Sequence, residues 1–385
     1  MIHRERLTDR FLELLRIDSH SRDEAEMADR LARRCIALGA DVAIDDAGRA
    51  VGGNSGNLVA RLPGTVRDAP PMMLSAHMDT VTPGKGVQPV VRGDIVRSDG
   101  TTVLGGDDKA GCAIILETVQ VLQERQIPHG DLEIVFTVCE EVGLLGAKHL
   151  DCTSLAARQG LVFDSDGTGL VFTRQPACNH LTFTVHGVEA HAGVAPQQGI
   201  SAIQVAAEGI GAMRLGRVDA TTTANLGFIR GGSAMNVVPN LVRLDGEARS
   251  FDEQALEAQC RHMVHCLERA AARREVTIDG RPRRASVTAR VERQYPAMDV
   301  PERAGVLTLV CEAARRLGRT LGTASSCGSS DANIFNARGI QCVDLSTGMR
   351  AIHTVHEWID LRDMVATAEL TVETIALNAR GGRGA

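Results

Sequence analysis

Apolar residues recur at helical spacing near the start of the chain: Leu7, Phe11, Leu14 and Leu15 within residues 4–16, then Met27, Leu31 and Ile36 within 22–38, where Gly39 ends the stretch. Short apolar runs of strand length follow at 57–62, 72–76, 132–138 and 160–163, and a strongly helical stretch from Lys109 to Glu124 lies among them. Strands alternating with helices predict a mostly parallel sheet with helices on both faces.

From about 179 to 292 the pattern changes to strand 181–186, helix 198–214, strand 222–230, strand 241–249, helix 252–273 and strand 285–292. That β-α-β-β-α-β order reads as a small ferredoxin-like α+β insert. Alternation then resumes at 302–317, 340–345 and 360–378. The expected fold class is therefore α/β, with a discontinuous first domain (1–178 and 293–385) interrupted by an inserted domain (179–292). A length of 385 residues, more than one hydrophobic core usually organises, agrees with two domains.

Composition narrows the function classes. An apolar fraction of 44% is ordinary for a globular protein, and a net charge of −6 argues against nucleic acid as a partner. The basic stretch Arg281 to Arg284 reads as a solvated loop. No apolar run reaches the roughly 20 residues that span a bilayer, and Met1 to Arg10 alternates charge, so the expectation is a soluble, cytoplasmic protein with no membrane partner. Ten cysteines without a Cys-x-x-Cys spacing, among them Cys112, Cys139 and Cys342 in apolar runs, read as buried reduced thiols.

Candidate chemistry gathers at strand ends. His77 follows the run Met72 to Ala76, at the carboxyl end where open α/β sheets place their sites, and Asp79 stands close enough to accept the second imidazole N–H. Gly105 and Gly106 precede Asp107 and Asp108 at a helix start; one aspartate there is an ordinary cap, and two leave a carboxylate over. Glu140 and Glu141 follow the run Ile134 to Val138, where adjacent side chains diverge, so one can bind metal while the other moves a proton. Asp164, with Asp166 as a competitor, ends the strand Leu161 to Phe163, and His353 and His356 lie in an expected loop beyond strand 341–345. Imidazoles and carboxylates without thiolates suit Zn²⁺, Mn²⁺ or Co²⁺.

In order and spacing these clusters resemble the zinc exopeptidase family that includes peptidase T, glutamate carboxypeptidase, acetylornithine deacetylase and succinyl-diaminopimelate desuccinylase, over nearly the whole chain. The resemblance implies two Zn²⁺ per chain: His77 and Asp164 on one, Glu141 and His353 on the other, Asp107 bridging both. It further implies that Asp79 orients His77, that Glu140 is the general base, and that the Asp107–Asp108 peptide is cis. The insert corresponds to the family's lid or dimerisation domain, implying a homodimer through it. There the segment Gly187 to Gly193 makes His191 a candidate oxyanion stabiliser, while Asn236 and Arg249 match substrate-contacting positions.

Asp107-Asp108-Lys109-Ala110-Gly111, Ser330 to Phe335 and the aspartate at 164 look most like peptidase T. The expected activity is aminopeptidase action on short peptides, with an N-acyl-amino-acid deacylase or carboxypeptidase as the alternative on the same metals. A non-catalytic binding protein on this fold would have lost a ligand or Glu140, and none is missing. An NAD-dependent oxidoreductase lacks its Gly-x-Gly-x-x-Gly turn.

Overall fold

The computed structural model describes residues 2–381. The chain divides into two compact units, one comprising Met1–Gln175 and Met298–Ala385, the other Pro176–Ala297. The second unit reaches slightly beyond the expected 179–292 because its first long strand starts at Ala177 and its last ends at Tyr295.

The first unit is built on a nine-stranded sheet. Four central strands run parallel, in the spatial order Leu132–Thr137, Met72–His77, Gln159–Ser165, Gln341–Ser346. Met72–His77 and Leu132–Thr137 are buried at every position, which is why they read as continuous apolar runs and not as alternating ones. The margins bring in antiparallel pairing: Leu58–Leu62 and Asp41–Ile44 on one side, and on the other Leu170–Gln175, which pairs antiparallel with Met298–Asp299 and parallel with the ninth strand, Gly322–Ser325. The outermost strand, Asp41–Ile44, is largely exposed, as an antiparallel edge tolerates and a parallel one does not.

The helix Gly106–Glu124 is apolar and buried around most of its circumference, with Ala110, Cys112, Ala113, Ile114, Ile115 and Val119 all inaccessible. It packs on Met72–His77 and Gln159–Ser165, and the helices Arg4–Leu15 and Leu361–Gly381 cover it. Its carboxylate Glu117, fully buried, accepts from Arg6 Nε at 2.7 Å, Arg10 Nη1 at 3.1 Å and the His3 amide at 3.1 Å, tying the first helix to the central one.

A small sheet escaped the sequence pattern. Met349–Arg350, Trp358–Asp360, Ile95–Arg97 and Val90–Arg92 pair in that order, in strands too short for periodicity to register. The Arg97 and Arg350 guanidinium carbons both lie over the Trp358 ring, 5.5 and 5.6 Å from its centroid.

The second unit holds a five-stranded antiparallel sheet in the order Gly216–Arg217, Thr222–Gly231, Leu241–Ser250, Ala177–His186, Ser286–Tyr295. Helices Ala202–Ala212 and Glu253–Ala272 close its core over Leu181, Phe183, Val185, Leu244 and Met263. Ser201 and Asp252 cap these helices by accepting the Gln204 and Ala255 amides. The expected solvated loop at 281–284 is instead an exposed strand, Arg281–Arg284, paired with Glu275–Ile278. Asp279 and Gly280, with φ of 50° and 74°, form the two-residue turn that converts the basic stretch into a hairpin. None of the ten cysteines forms a disulfide. Among the described residues no helix is long and apolar enough to cross a membrane.

Replacing Glu117 with Ala strands the Arg10 guanidinium in a buried position, and we expect a loss of about 3 kcal/mol of unfolding free energy. Urea denaturation checks this; an unchanged midpoint would mean that the first helix docks through its apolar face alone.

Candidate metal centre

The parallel strands end on one side of the sheet, and their exits carry the polar side chains. Met72–His77 ends on His77, Leu132–Thr137 leads into Glu140 and Glu141, and Gln159–Ser165 bears Asp164 one residue from its end. His353 comes from the turn after Met349–Arg350, where it takes the left-handed backbone at φ 62°.

The centre of the group is Asp107. Gly105, at φ 73°, turns the chain into the helix, but Asp107 and Asp108 keep non-helical backbones (ψ 102° and 37°) and the peptide between them is cis. Asp107 Oδ1 lies 2.9 Å from His77 Nε2, and its Oδ2 lies 3.1 Å from His353 Nε2. One carboxylate thus presents its two oxygens to two imidazoles. Asp164 Oδ1 stands 3.5 Å from the same His77 nitrogen, and Glu141 Oε2 stands 3.0 Å from the His353 nitrogen. Two triads result, His77–Asp107–Asp164 and Asp107–Glu141–His353, each with its ligand atoms within 4.8 Å of one another.

The structure separates candidates that the sequence left side by side. Asp108 turns from the imidazoles and accepts the His77 amide at 3.2 Å and the Gly111 amide at 2.9 Å. Gly111 is required here, since a Cβ would sit 2.5 Å from Asp108 Oδ1 and 2.8 Å from Phe163 Cβ. Asp166 and His356 are exposed and belong to neither triad. Asp79 has a wider reach than its sequence position suggests. The His77 Nδ1 meets its backbone oxygen at 2.9 Å and its carboxylate at 3.4 Å, while that carboxylate accepts the Glu140 amide at 2.9 Å, the Glu141 amide at 3.2 Å and Ser21 Oγ at 2.7 Å.

No local pattern marks Glu357, which stands four residues beyond His353. Its Oε2 accepts the Leu104 and Gly105 amides at 2.8 and 2.9 Å, and its Oε1 accepts the Asp107 amide at 3.1 Å. This buried carboxylate shapes the turn that aims Asp107. Asp344 acts similarly on Asp164, whose amide it accepts at 2.9 Å.

Electrostatics explain what such a cluster attracts. Burial pushes the Glu140, Glu141 and Asp164 carboxyls above the usual carboxylate range, and their mutual repulsion adds to the shift. Burial raises Glu357 as well, to about 7. Asp107 is held low by its two imidazoles in spite of burial. Hydrogen bonds to Asp107 and Glu141 lift His353 to about 10; His77 is raised too, its carboxylate neighbours outweighing burial. A site that draws protons onto its imidazoles draws divalent cations for the same reason. The donor set fits two: hard oxygens and imidazole nitrogens in two triads with a common carboxylate, and a buried Glu141 Oε1 that has no hydrogen-bond partner.

The remaining candidates belong to the second unit. His191 lies in the two-residue strand Ala190–His191, paired with Val237–Val238, and its Nδ1 accepts the Gly193 and Val194 amides at 3.2 and 3.1 Å. The Asn236 carbonyl accepts the Ala192 amide at 2.9 Å, so His191 and Asn236 share one ribbon. Arg249 lies apart from them on Leu241–Ser250, its guanidinium held by Glu247 at 2.9 and 3.1 Å.

Residues 73–377 match the model of peptidase family M20/M25/M40. A Bacillus subtilis (strain 168) protein described as uncharacterized protein YqjE is 40% identical over 376 residues, which cover 97% of this chain and 99% of the relative. The crystal structure of aminopeptidase PepT from Bacillus cereus ATCC 10987 superposes with a TM-score of 0.88 at 39% identity, covering 98% of this chain and 99% of that one. A tripeptidase from Staphylococcus aureus superposes with a TM-score of 0.92 at 38% identity, covering 99% and 100%.

Replacing Asp107 with Ala removes the donor common to both triads, and we expect elemental analysis of the dialysed variant to find less than about half of the wild-type metal content. Glu357→Ala leaves every ligand in place but frees the turn beneath Asp107; we expect about 10- to 100-fold weaker metal affinity in a chelator competition. Wild-type affinity in the folded variant would remove Glu357 from the account.

Proposed function

The chain belongs to peptidase family M20/M25/M40, and from that premise we propose that it is a metal-dependent aminopeptidase acting on short peptides, a tripeptidase of the peptidase T kind. The observation that carries this reading is the pair of triads joined at Asp107, with Glu140 adjacent to one ligand, Glu141. The names of the two similar structures, an aminopeptidase and a tripeptidase, support the substrate class. Asp164 is aspartate where the family's deacylases and carboxypeptidases usually carry glutamate, and it tilts the choice the same way.

In this reading His77 and Asp164 hold one ion, Glu141 and His353 hold the second, and Asp107 holds both. We assign both ions as Zn²⁺, since three protein donors of nitrogen and oxygen with one position left open suit catalytic zinc, with Mn²⁺ and Co²⁺ able to replace it. When bound, the ions supply Lewis acidity toward a peptide carbonyl and toward water. The chain's own work then falls to Glu140. Burial raises its proton affinity, suiting it to take a proton from the attacking water and pass it to the leaving amine. Asp79, through the Glu140 and Glu141 amides, keeps base and ligand in fixed relation. By resemblance to the family, His191 is assigned to the developing oxyanion, and Asn236 and Arg249 to polar groups of the substrate. By the same resemblance we assign a homodimer formed through the second unit, and ten cysteines that form no disulfide support a reducing, cytoplasmic setting.

Assaying tripeptides beside their N-acetylated forms, with and without a chelator, tests the proposal. The expected outcome is chelator-sensitive cleavage of free-amine peptides only; cleavage of the blocked forms would move the chain to the deacylase alternative. Replacing Glu140 with Gln should cut turnover by at least about 100-fold while metal content stays at the wild-type level. Full activity in that metal-loaded variant would overturn the assignment of the base.

A further inference from the structure

The turn from Val138 to Glu141 carries the base and one metal ligand, yet none of its four amides bonds to another backbone group. Val138 donates to Asn57 Oδ1 at 3.1 Å, Cys139 to Glu24 Oε1 at 3.0 Å, Glu140 to Asp79 Oδ1 at 2.9 Å and Glu141 to Asp79 Oδ2 at 3.2 Å. Side chains from elsewhere in the chain hold its amides, while the Val138, Cys139 and Glu140 carbonyls accept the amides of Gly146, Leu145 and of Gly143 and Leu144. The turn needs holding, because Cys139 adopts φ 54°, the left-handed region that a residue with a Cβ enters at a cost.

Glu24 is the member of this set that neither the metal centre nor the helix beside it explains. It stands at the N-cap of helix Ala25–Ala37, where a side chain ordinarily accepts an amide of the first turn, and it makes no such bond. Its carboxylate points instead to a residue 115 positions away. Oε1 accepts the Cys139 amide, the Cys139 thiol at 3.3 Å and the Arg22 amide at 2.9 Å. The residue is 0% exposed, and its Oε2 has no partner. A half-satisfied buried carboxylate is an unfavourable way to cap a helix. Ser21, three residues earlier, donates to the Asp79 carboxylate at 2.7 Å, so one short loop bears on both carboxylates that hold the turn.

We propose that Glu24 is a positioning residue for the hydrolysis: by accepting the Cys139 amide it keeps Cys139 left-handed, and so fixes the directions in which Glu140 and Glu141 leave the strand. This rests on the reading of Glu140 as the base. Glu24 touches no ligand of either triad, so its loss leaves the ions bound and misaims the base.

The test compares purified, metal-loaded wild type, Glu24→Ala, Glu24→Gln, the double variant Glu24→Ala/Cys139→Gly, and Glu140→Gln on a free-amine tripeptide. Circular dichroism and elemental analysis accompany the kinetics. For Glu24→Ala we expect kcat to fall about 100-fold, the effect of an ångström-scale misplacement, with KM within about 3-fold and metal content unchanged. Glu24→Gln, which keeps an acceptor oxygen, should stay within about 10-fold of wild type. Adding Cys139→Gly to Glu24→Ala should recover kcat at least about 10-fold, because glycine enters the left-handed region freely.

A purely structural role would lower the unfolding temperature and leave kcat per folded, metal-loaded molecule unchanged. That result, or a loss that neither Gln at 24 nor Gly at 139 relieves, overturns the proposal. Should Glu24→Ala fail to fold, Glu24→Asp, whose carboxylate falls one methylene short, is expected to show the same loss of kcat at constant KM; wild-type kcat there overturns the proposal equally. The Glu140→Gln arm separates the two claims. Turnover surviving in it refutes the base, whereas turnover lost in it but kept in Glu24→Ala refutes only the positioning.

Discussion

Asp107 facing two imidazoles at once is the arrangement on which the rest of the first unit depends. Four carboxylates, Asp107, Glu140, Glu141 and Asp164, gather there with His77 and His353, all but His353 drawn out of solvent. Like charges that close repel, and burial denies them the screening of water. Compensation must come from cations and from fixed donors. The two triads supply places for cations, and backbone amides supply the donors.

Those amides are organised by a second set of buried acids that belong to neither triad. Glu357 takes three amides around Gly105 and Asp107, Asp344 takes that of Asp164, Asp108 takes those of His77 and Gly111, and Asp79 takes those of Glu140 and Glu141. Each acid fixes the backbone of a residue that presents a side chain to the centre. Precision there comes from tertiary hydrogen bonds laid over the carboxyl ends of buried parallel strands, and the strands come from apolar runs that sit in the middle of the sheet. The helix Gly106–Glu124 completes the frame, since its burial against those strands sets where Asp107 emerges.

Much of this was legible in the chain because strand ends are marked by abrupt passage from apolar to polar residues. His77, Glu140, Glu141 and Asp164 each sit at such a passage, and the helix from Lys109 begins where the regular backbone resumes after Asp107 and Asp108. The β-α-β-β-α-β order of the second unit was equally plain, because its strands are long enough for periodicity to register. What stayed hidden was tertiary. Glu357 lies 250 positions from the Asp107 amide it accepts, and no local pattern distinguishes a carboxylate that clamps a remote turn from one that faces water. The hairpin at 281–284 is masked for another reason: its second strand is a run of exposed arginines with no apolar alternation, and only Asp279-Gly280 signals the turn.

We propose that one carboxylate, Asp107, joins two metal sites in this chain. Anomalous diffraction from crystals of the zinc-loaded protein, recorded on both sides of the zinc absorption edge, tests this. Two peaks per chain are expected, one beside His77 and Asp164 and one beside Glu141 and His353, with an Asp107 oxygen reaching each. A single peak, or two peaks of which one lies away from Asp107, would contradict it.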